Sequence, residues 1–216
     1  MKKLVFSLVA IATLSLTSCN DKAKEAETSE AEEAAVAEVT ATAYTISTDD
    51  STIMWKGFKP TGTHNGEIAV SGGDLSVEDG MIKSGTVTID MGTIEVKDIP
   101  AEEEGNAKLK GHLSSPDFFD VETYPTAKFV VTGMSEADGK TMLQGNLTLK
   151  DATNNVSIPV STSMNGDVMT LTSEAFTIDR SKWNVKYGSK SFFDDLGDSF
   201  INDDIELQIS VKANKA

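Results

Sequence analysis

From Tyr44 onward the chain carries run after run in which apolar and polar residues alternate with a period of two, and tight-turn residues separate the runs. The clearest run is Met142 to Lys150: Leu143, Gly145, Leu147 and Leu149 fall on one side, Gln144, Asn146, Thr148 and Lys150 on the other. Ser51 to Phe58 repeats it around Ile53, Trp55 and Gly57, and Gly85 to Met91 sets Val87, Ile89 and Met91 against Thr86, Thr88 and Asp90. Val156, Ile158 and Val160 follow, then Met169, Leu171 and Ser173, and finally Ile205, Leu207, Ile209 and Val211. Side chains on a strand point alternately to its two faces, so such runs predict antiparallel strands with one wet face. Glu78-Asp79-Gly80, Ala137-Asp138-Gly139, Met164-Asn165-Gly166-Asp167 and Ser71-Gly72-Gly73-Asp74 all read as tight turns between them. About eight strands of this kind make an all-β barrel or sandwich. Only Ala101 to Leu113 reads as helix.

The interior of such a barrel holds either packed side chains or one slender ligand. The inward candidates include small residues (Gly57, Ala69, Gly145, Ser173, Ala175) among medium aliphatics, a composition that leans towards a hollow. Small residues also occur where barrels bend.

The first residues carry an address. Lys2 and Lys3 precede the apolar run Leu4 to Leu16, and Leu16-Thr17-Ser18-Cys19 closes it. A basic start, a short apolar stretch and small residues describe a secretory signal over residues 1–18. Cys19 is the one cysteine of the chain, which excludes an intrachain disulfide. Leu-Thr-Ser-Cys resembles the lipobox of bacterial lipoproteins, and that resemblance implies cleavage before Cys19 and its lipidation. The implied location is the cell envelope, with the chain anchored by lipid at the outer membrane or on its periplasmic face. Residues 20–43 are rich in Ala, Glu and Thr, contain no aromatic residue before Tyr44 and read as a flexible acidic tether following the lipidated cysteine. The domain proper is expected over residues 44–216. Loss of residues 1–18 moves the net charge from −15 to −17. A chain this acidic repels phosphate backbones, so nucleic acid is excluded as a natural partner.

Four stretches, in order, carry a family resemblance: STIMWKGFKPTGTHNGEIAVSGGDL; GTVTIDMGTIEV; LKGHLSSPDFFDVETYPTAKFVVT with GNLTLKDATNNVSIPV; and FTIDRSKWNVKYGS with INDDIELQISVKA. The segment His112-Leu113, Asp117-Phe118-Phe119-Asp120 and Tyr124-Pro125 is the most specific. From about Tyr44 to Ala213 the chain resembles the YceI-like family. The resemblance implies an extended eight-stranded antiparallel lipocalin-like β-barrel with one short helix or lid, holding a polyisoprenoid or quinone-like tail in an apolar tunnel. It implies a ligand rather than a cofactor, and no catalytic residue. Trp55, His64, Leu143, Leu147, Phe118, Phe119, Phe176 and Arg180 are the candidate ligand-binding residues.

Each of these has a plainer reading as well. Leu113 to Asp120 is expected to close one barrel end with Phe118 and Phe119 buried. His64, in the loop Thr61 to Gly66, either meets a ligand head group or a carboxylate such as Asp90, or orders its own loop; His112 belongs to a helix end. Arg180 either binds an anionic head group or fastens the loop Ser181 to Lys190 through Asp90 or Asp120. Two histidines without Cys pairs give no zinc spacing, and the acidic stretch from Asp194 to Asp204 misses the calcium-loop pattern. Phe192, Phe193 and Phe200 are expected as a flexible apolar rim. The expected role is a membrane-tethered carrier, store or sensor of an isoprenoid or fatty amphiphile. The alternatives are a solid-cored surface interaction module, or an enzyme using His64 as base. An open barrel edge would let two copies pair as a homodimer.

Overall fold

The computed structural model describes residues 23–37 and 39–216; the expected signal segment and Cys19 lie outside them. In chain order the elements are β1 (Lys24–Glu25), β2 (Glu27–Glu30), β3 (Thr42–Lys59), β4 (Gly62–Glu78), β5 (Met81–Asp90), β6 (Glu95–Val96), α1 (Glu104–Ser114), β7 (Thr126–Ala137), β8 (Lys140–Leu149), β9 (Ala152–Asn165), β10 (Val168–Ser173), β11 (Phe176–Asp179) and β12 (Asp204–Lys215). Strands β3, β4, β5, β7, β8, β9, β10 and β12 form the ring, and β12 closes it against β3, from Ile205 opposite Gly57 to Lys215 opposite Tyr44. This is a closed eight-stranded antiparallel barrel of lipocalin-like form. Among the described residues, closure leaves the ring itself without a long open edge.

Two hairpins show how sequence sets the register. Asp79 and Gly80 have φ of 52° and 77°, Asp138 and Gly139 of 52° and 73°. Two positive φ values in succession match the right-handed twist of the strands they join. Gly72-Gly73, read as a turn, lies instead inside β4, where the register against β5 shifts between Val70 and Gly72. At Gly73, φ is 145° and a Cβ would lie 2.0 Å from the Thr86 carbonyl oxygen. The glycines therefore bend a long strand around the barrel without ending it.

The alternating residues do face inward. With buried residues from the helix, the cap and the segment before β6, they form two adjoining clusters: one around Val131, Val156, Met169 and Phe176, the other around Trp55, Ile94, Leu113 and Phe118. The second lies at the end of the barrel covered by α1. Past the helix, Ser115 N–H donates to His112, Phe119 N–H to Leu113 and Tyr124 N–H to Asp120, with Asp120 at φ 48°. These bonds coil residues 115–124 into a compact cap. Pro125 then delivers the chain to β7.

The stretch read as a flexible tether differs most from expectation. Residues 24–35 lie along the barrel wall: β1 pairs in parallel with β11, β2 antiparallel with β9, and Ala35 N–H donates to the Val131 carbonyl. Asn146 makes two bonds to the Glu32 backbone, at 2.9 and 2.7 Å. Backbone pairing on an available strand edge needs no apolar face, so composition did not disclose it.

Candidate functional site

The inward faces of the ring strands do not meet at the centre. Beneath the cap they enclose a cavity of about 410 Å³, walled by Trp55, Ile68, Ile89, Ile94, Ile205 and Phe118 among others. A second cavity of about 80 Å³ lies deeper, and its walls are entirely Ile, Leu, Val and Phe. Ile53, Ile89, Leu147 and Leu207 border both, so the two chambers adjoin and follow one another inward from the cap.

Every candidate ligand-binding residue borders one chamber or both. Trp55, His64, Phe118, Phe119 and Arg180 border the outer chamber, Leu143 and Phe176 the inner, and Leu147 the junction. Strand alternation accounts for Trp55, Leu143 and Leu147. Phe118 is buried in the cap with its ring 5.4 Å from that of Phe119, and Lys150 Nζ donates to its carbonyl at 3.1 Å. The alternation also signalled Ile89, Met91, Ile205 and Leu207. Tyr187, Ile201 and Asn202 reach the outer chamber from a loop without periodicity and were missed.

Gly145 does not widen the tunnel as its size suggested. The Phe129 ring occupies its face, 2.2 Å from where a Cβ would stand. Ser173 serves the wall, its hydroxyl oxygen accepting from Ile209 N–H at 2.8 Å.

Arg180 is wholly buried. Its Nε donates to the Asn202 carbonyl at 3.1 Å, Nη1 to Val185 at 2.6 Å and Nη2 to Ile201 at 3.0 Å, while Asp203 Oδ1 lies 3.3 Å from Nη2. Burial draws its pKa below the usual arginine value, against the attraction of Asp203 and Asp179. The guanidinium thus holds both ends of the 184–203 loop. Its carboxylate partner is Asp203 in place of the expected Asp90 or Asp120, because Asp203, just before β12, accepts from Arg180 N–H through its carbonyl and so lies beside it, while Asp90 caps a turn by accepting from Gly92 N–H. The remaining face of Arg180 stacks on Phe118, 5.2 Å from the ring centroid.

His64 lies at the outer chamber and bonds Asp98, not Asp90, with Nδ1 2.8 Å from Oδ2. Burial raises the Asp98 pKa, but the bonds from Asn65 N–H and His64 outweigh it and leave the carboxyl below its ordinary value. The pair ties the β3–β4 hairpin to the segment after β6. His112, in the last turn of α1, sets its ring edge-on to Tyr187 at 4.6 Å and to Phe118 at 5.6 Å. Trp55 Nε1 is buried with no acceptor among the described residues. Phe192 and Phe193 are 44% and 49% exposed, while Phe200 lies beneath Lys190 Nζ at 3.6 Å.

A closed antiparallel barrel with two adjoining, mostly apolar chambers, capped by a helix at one end, defines a lipocalin-like protein. A YceI-like domain matches residues 44–213, and the chain belongs to the YceI-like family. Similar solved structures share the fold. BcnA of Burkholderia cenocepacia matches 78% of this chain and 99% of its own, at 22% identity and TM-score 0.56. A polyisoprenoid binding domain from Saccharophagus degradans, implicated in plant cell wall breakdown, matches 81% and 99%, at 10% identity and TM-score 0.57. Among curated proteins, none matches the sequence.

Proposed function

We propose that this protein binds a polyisoprenoid or similar amphiphile, its chain in the two-chambered tunnel and its head near the outer opening. The tunnel itself carries the reading: apolar walls continue from the cap to the barrel centre. The outer chamber alone lies within the usual range for small-molecule sites, about 300–1,000 Å³. Burying ten methylene groups contributes about 8 kcal/mol before the cost of ordering the ligand. Chain length can therefore supply affinity without many polar contacts. The family resemblance and the ligand of the Saccharophagus domain support the same class of molecule. The unpartnered Trp55 N–H is a donor for a polar group near the outer chamber.

No residue is assigned a catalytic role. His64 is assigned to ordering its loop through Asp98, and Arg180, with every donor nitrogen engaged, to fastening the 184–203 loop. A solid-cored interaction module is disfavoured by the cavity. The mature chain is proposed to be lipidated at Cys19 and held in the cell envelope as a carrier, store or sensor.

Leu147 at the chamber junction offers the direct test. Leu147→Trp should plug the tunnel and weaken binding of the fluorescent fatty acid cis-parinaric acid at least about tenfold, or ~1.4 kcal/mol. Unchanged affinity in a variant with a normal melting transition would refute the tunnel as the site.

A further inference from the structure

Seven ring positions are each one strand. The eighth, between β9 and β12, is divided: β10 fills the far half, from Val168 to Ser173, and β11 the half nearer the cap. β10 bonds both neighbours. β11 bonds β12, but its other edge does not reach β9. Residues 24–30 fill that gap. Lys24 and Glu25 pair with Phe176 and Thr177 on one side, Ala26 N–H donates to the Thr177 carbonyl at 2.8 Å, and Glu27 to Glu30 pair with Ser157 to Asn154 on the other.

This wall piece is weakly held for its position. β10 anchors its half with buried Met169 and Leu171, whereas the filling segment buries only Ala26, 5% exposed, and leaves Lys24, Glu25, Glu27, Ser29 and Glu30 at the surface. It also brings negative charge against negative charge. Glu25 acts on Asp204 together with Asp179 and Asp203, and the Lys182 ion pair to Glu25, at 3.1 Å, opposes this. The seam edges are tunnel walls: Val156, Ile158 and Phe176 border the inner chamber, Ile178 the outer.

We propose that residues 24–30 are a releasable wall strand, and that the seam between β9 and β11 is a side door to the tunnel. The inference rests on the tunnel's holding an amphiphile. Undocking exposes two short strand edges and opens the wall beside the inner chamber, so a long chain can enter sideways without threading past the cap. With Cys19 lipidated, the same movement lengthens the membrane leash. Four residues separate Cys19 from Lys24, about 15 Å when extended, but 12 separate it from Glu32, whose backbone stays bonded to Asn146, about 40 Å.

Glu27 and Ser157 face each other on the outer side of the seam and can be joined covalently. In full-length chain carrying Cys19→Ser, the pair Glu27→Cys and Ser157→Cys should, once oxidised, slow both uptake and release of cis-parinaric acid at least about tenfold relative to the reduced protein, with Kd little changed. Ala26→Asp, which forces a carboxylate into the seam, should speed exchange and remove hydrogen-exchange protection at residues 27–30. Equal rates in oxidised and reduced protein, or parental exchange in Ala26→Asp, would overturn the side door and leave the lipid reading intact. Failure of the parent chain to bind the probe would overturn the lipid reading and the door with it.

Discussion

Asp204, the first residue of β12, carries its charge at a cost. Burial raises its pKa, and Glu25, Asp179 and Asp203 raise it further against the opposing pull of Lys182. The folded chain therefore binds this proton more readily than the unfolded chain, and stability falls as pH rises through that window. Asp204→Asn should raise the melting temperature at neutral pH, and the gain should shrink as pH falls towards the ordinary aspartate range. Thermal melts across that range check it; a gain independent of pH would assign the effect to shape instead of charge. Asp98 works in the opposite sense, since its lowered pKa stabilises the fold above the ordinary aspartate range and that contribution is lost on acidification. Neither residue was legible in the sequence. The partners of Asp98 are 33 and 34 positions away, at Asn65 and His64, and Glu25 meets Asp204 only because the N-terminal segment docks.

Among the elements, the loop between β11 and β12 depends on one side chain. Arg180 bonds carbonyls at residues 185, 201 and 202, which lie near the two ends of that loop. A lysine keeps the charge but cannot reproduce the planar fork. Arg180→Lys should cost about 2 kcal/mol or more, because buried carbonyls lose their donors. It should also raise hydrogen exchange across residues 184–203, and urea unfolding with exchange mass spectrometry reads both. Periodic elements were readable from the pattern: Leu143, Leu147 and Leu149, and Ile205, Leu207, Ile209 and Val211, all line the chambers, and the helix was expected within three residues of its ends. What escaped was set by backbone geometry or distant contact. Gly72-Gly73 reads as a turn because the same residues serve a bulge, and Glu27-Thr28-Ser29-Glu30 has no alternation because backbone bonds alone seat it.

At the scale of the molecule, ring closure and tunnel have a common origin. Eight strands enclose an interior whose volume their side chains decide, and the aliphatic inward set leaves two chambers open. Hollowness was legible only as a leaning, since Gly145 turned out to be covered by Phe129. The acidic chain, at −15 before any processing, gains little from anionic headgroups, so attachment to a membrane falls to the proposed lipid on Cys19. Cys19→Ser should move the protein from the membrane pellet to the soluble fraction after cell disruption; an unchanged pellet would contradict the anchor. Occupancy of the tunnel by an amphiphile is read by native mass spectrometry of the chain carrying Cys19→Ser, followed by organic extraction. A polyprenyl or similar long-chain species bound one to one is expected. A clean unliganded mass, with no uptake of added quinones or fatty acids, would contradict it.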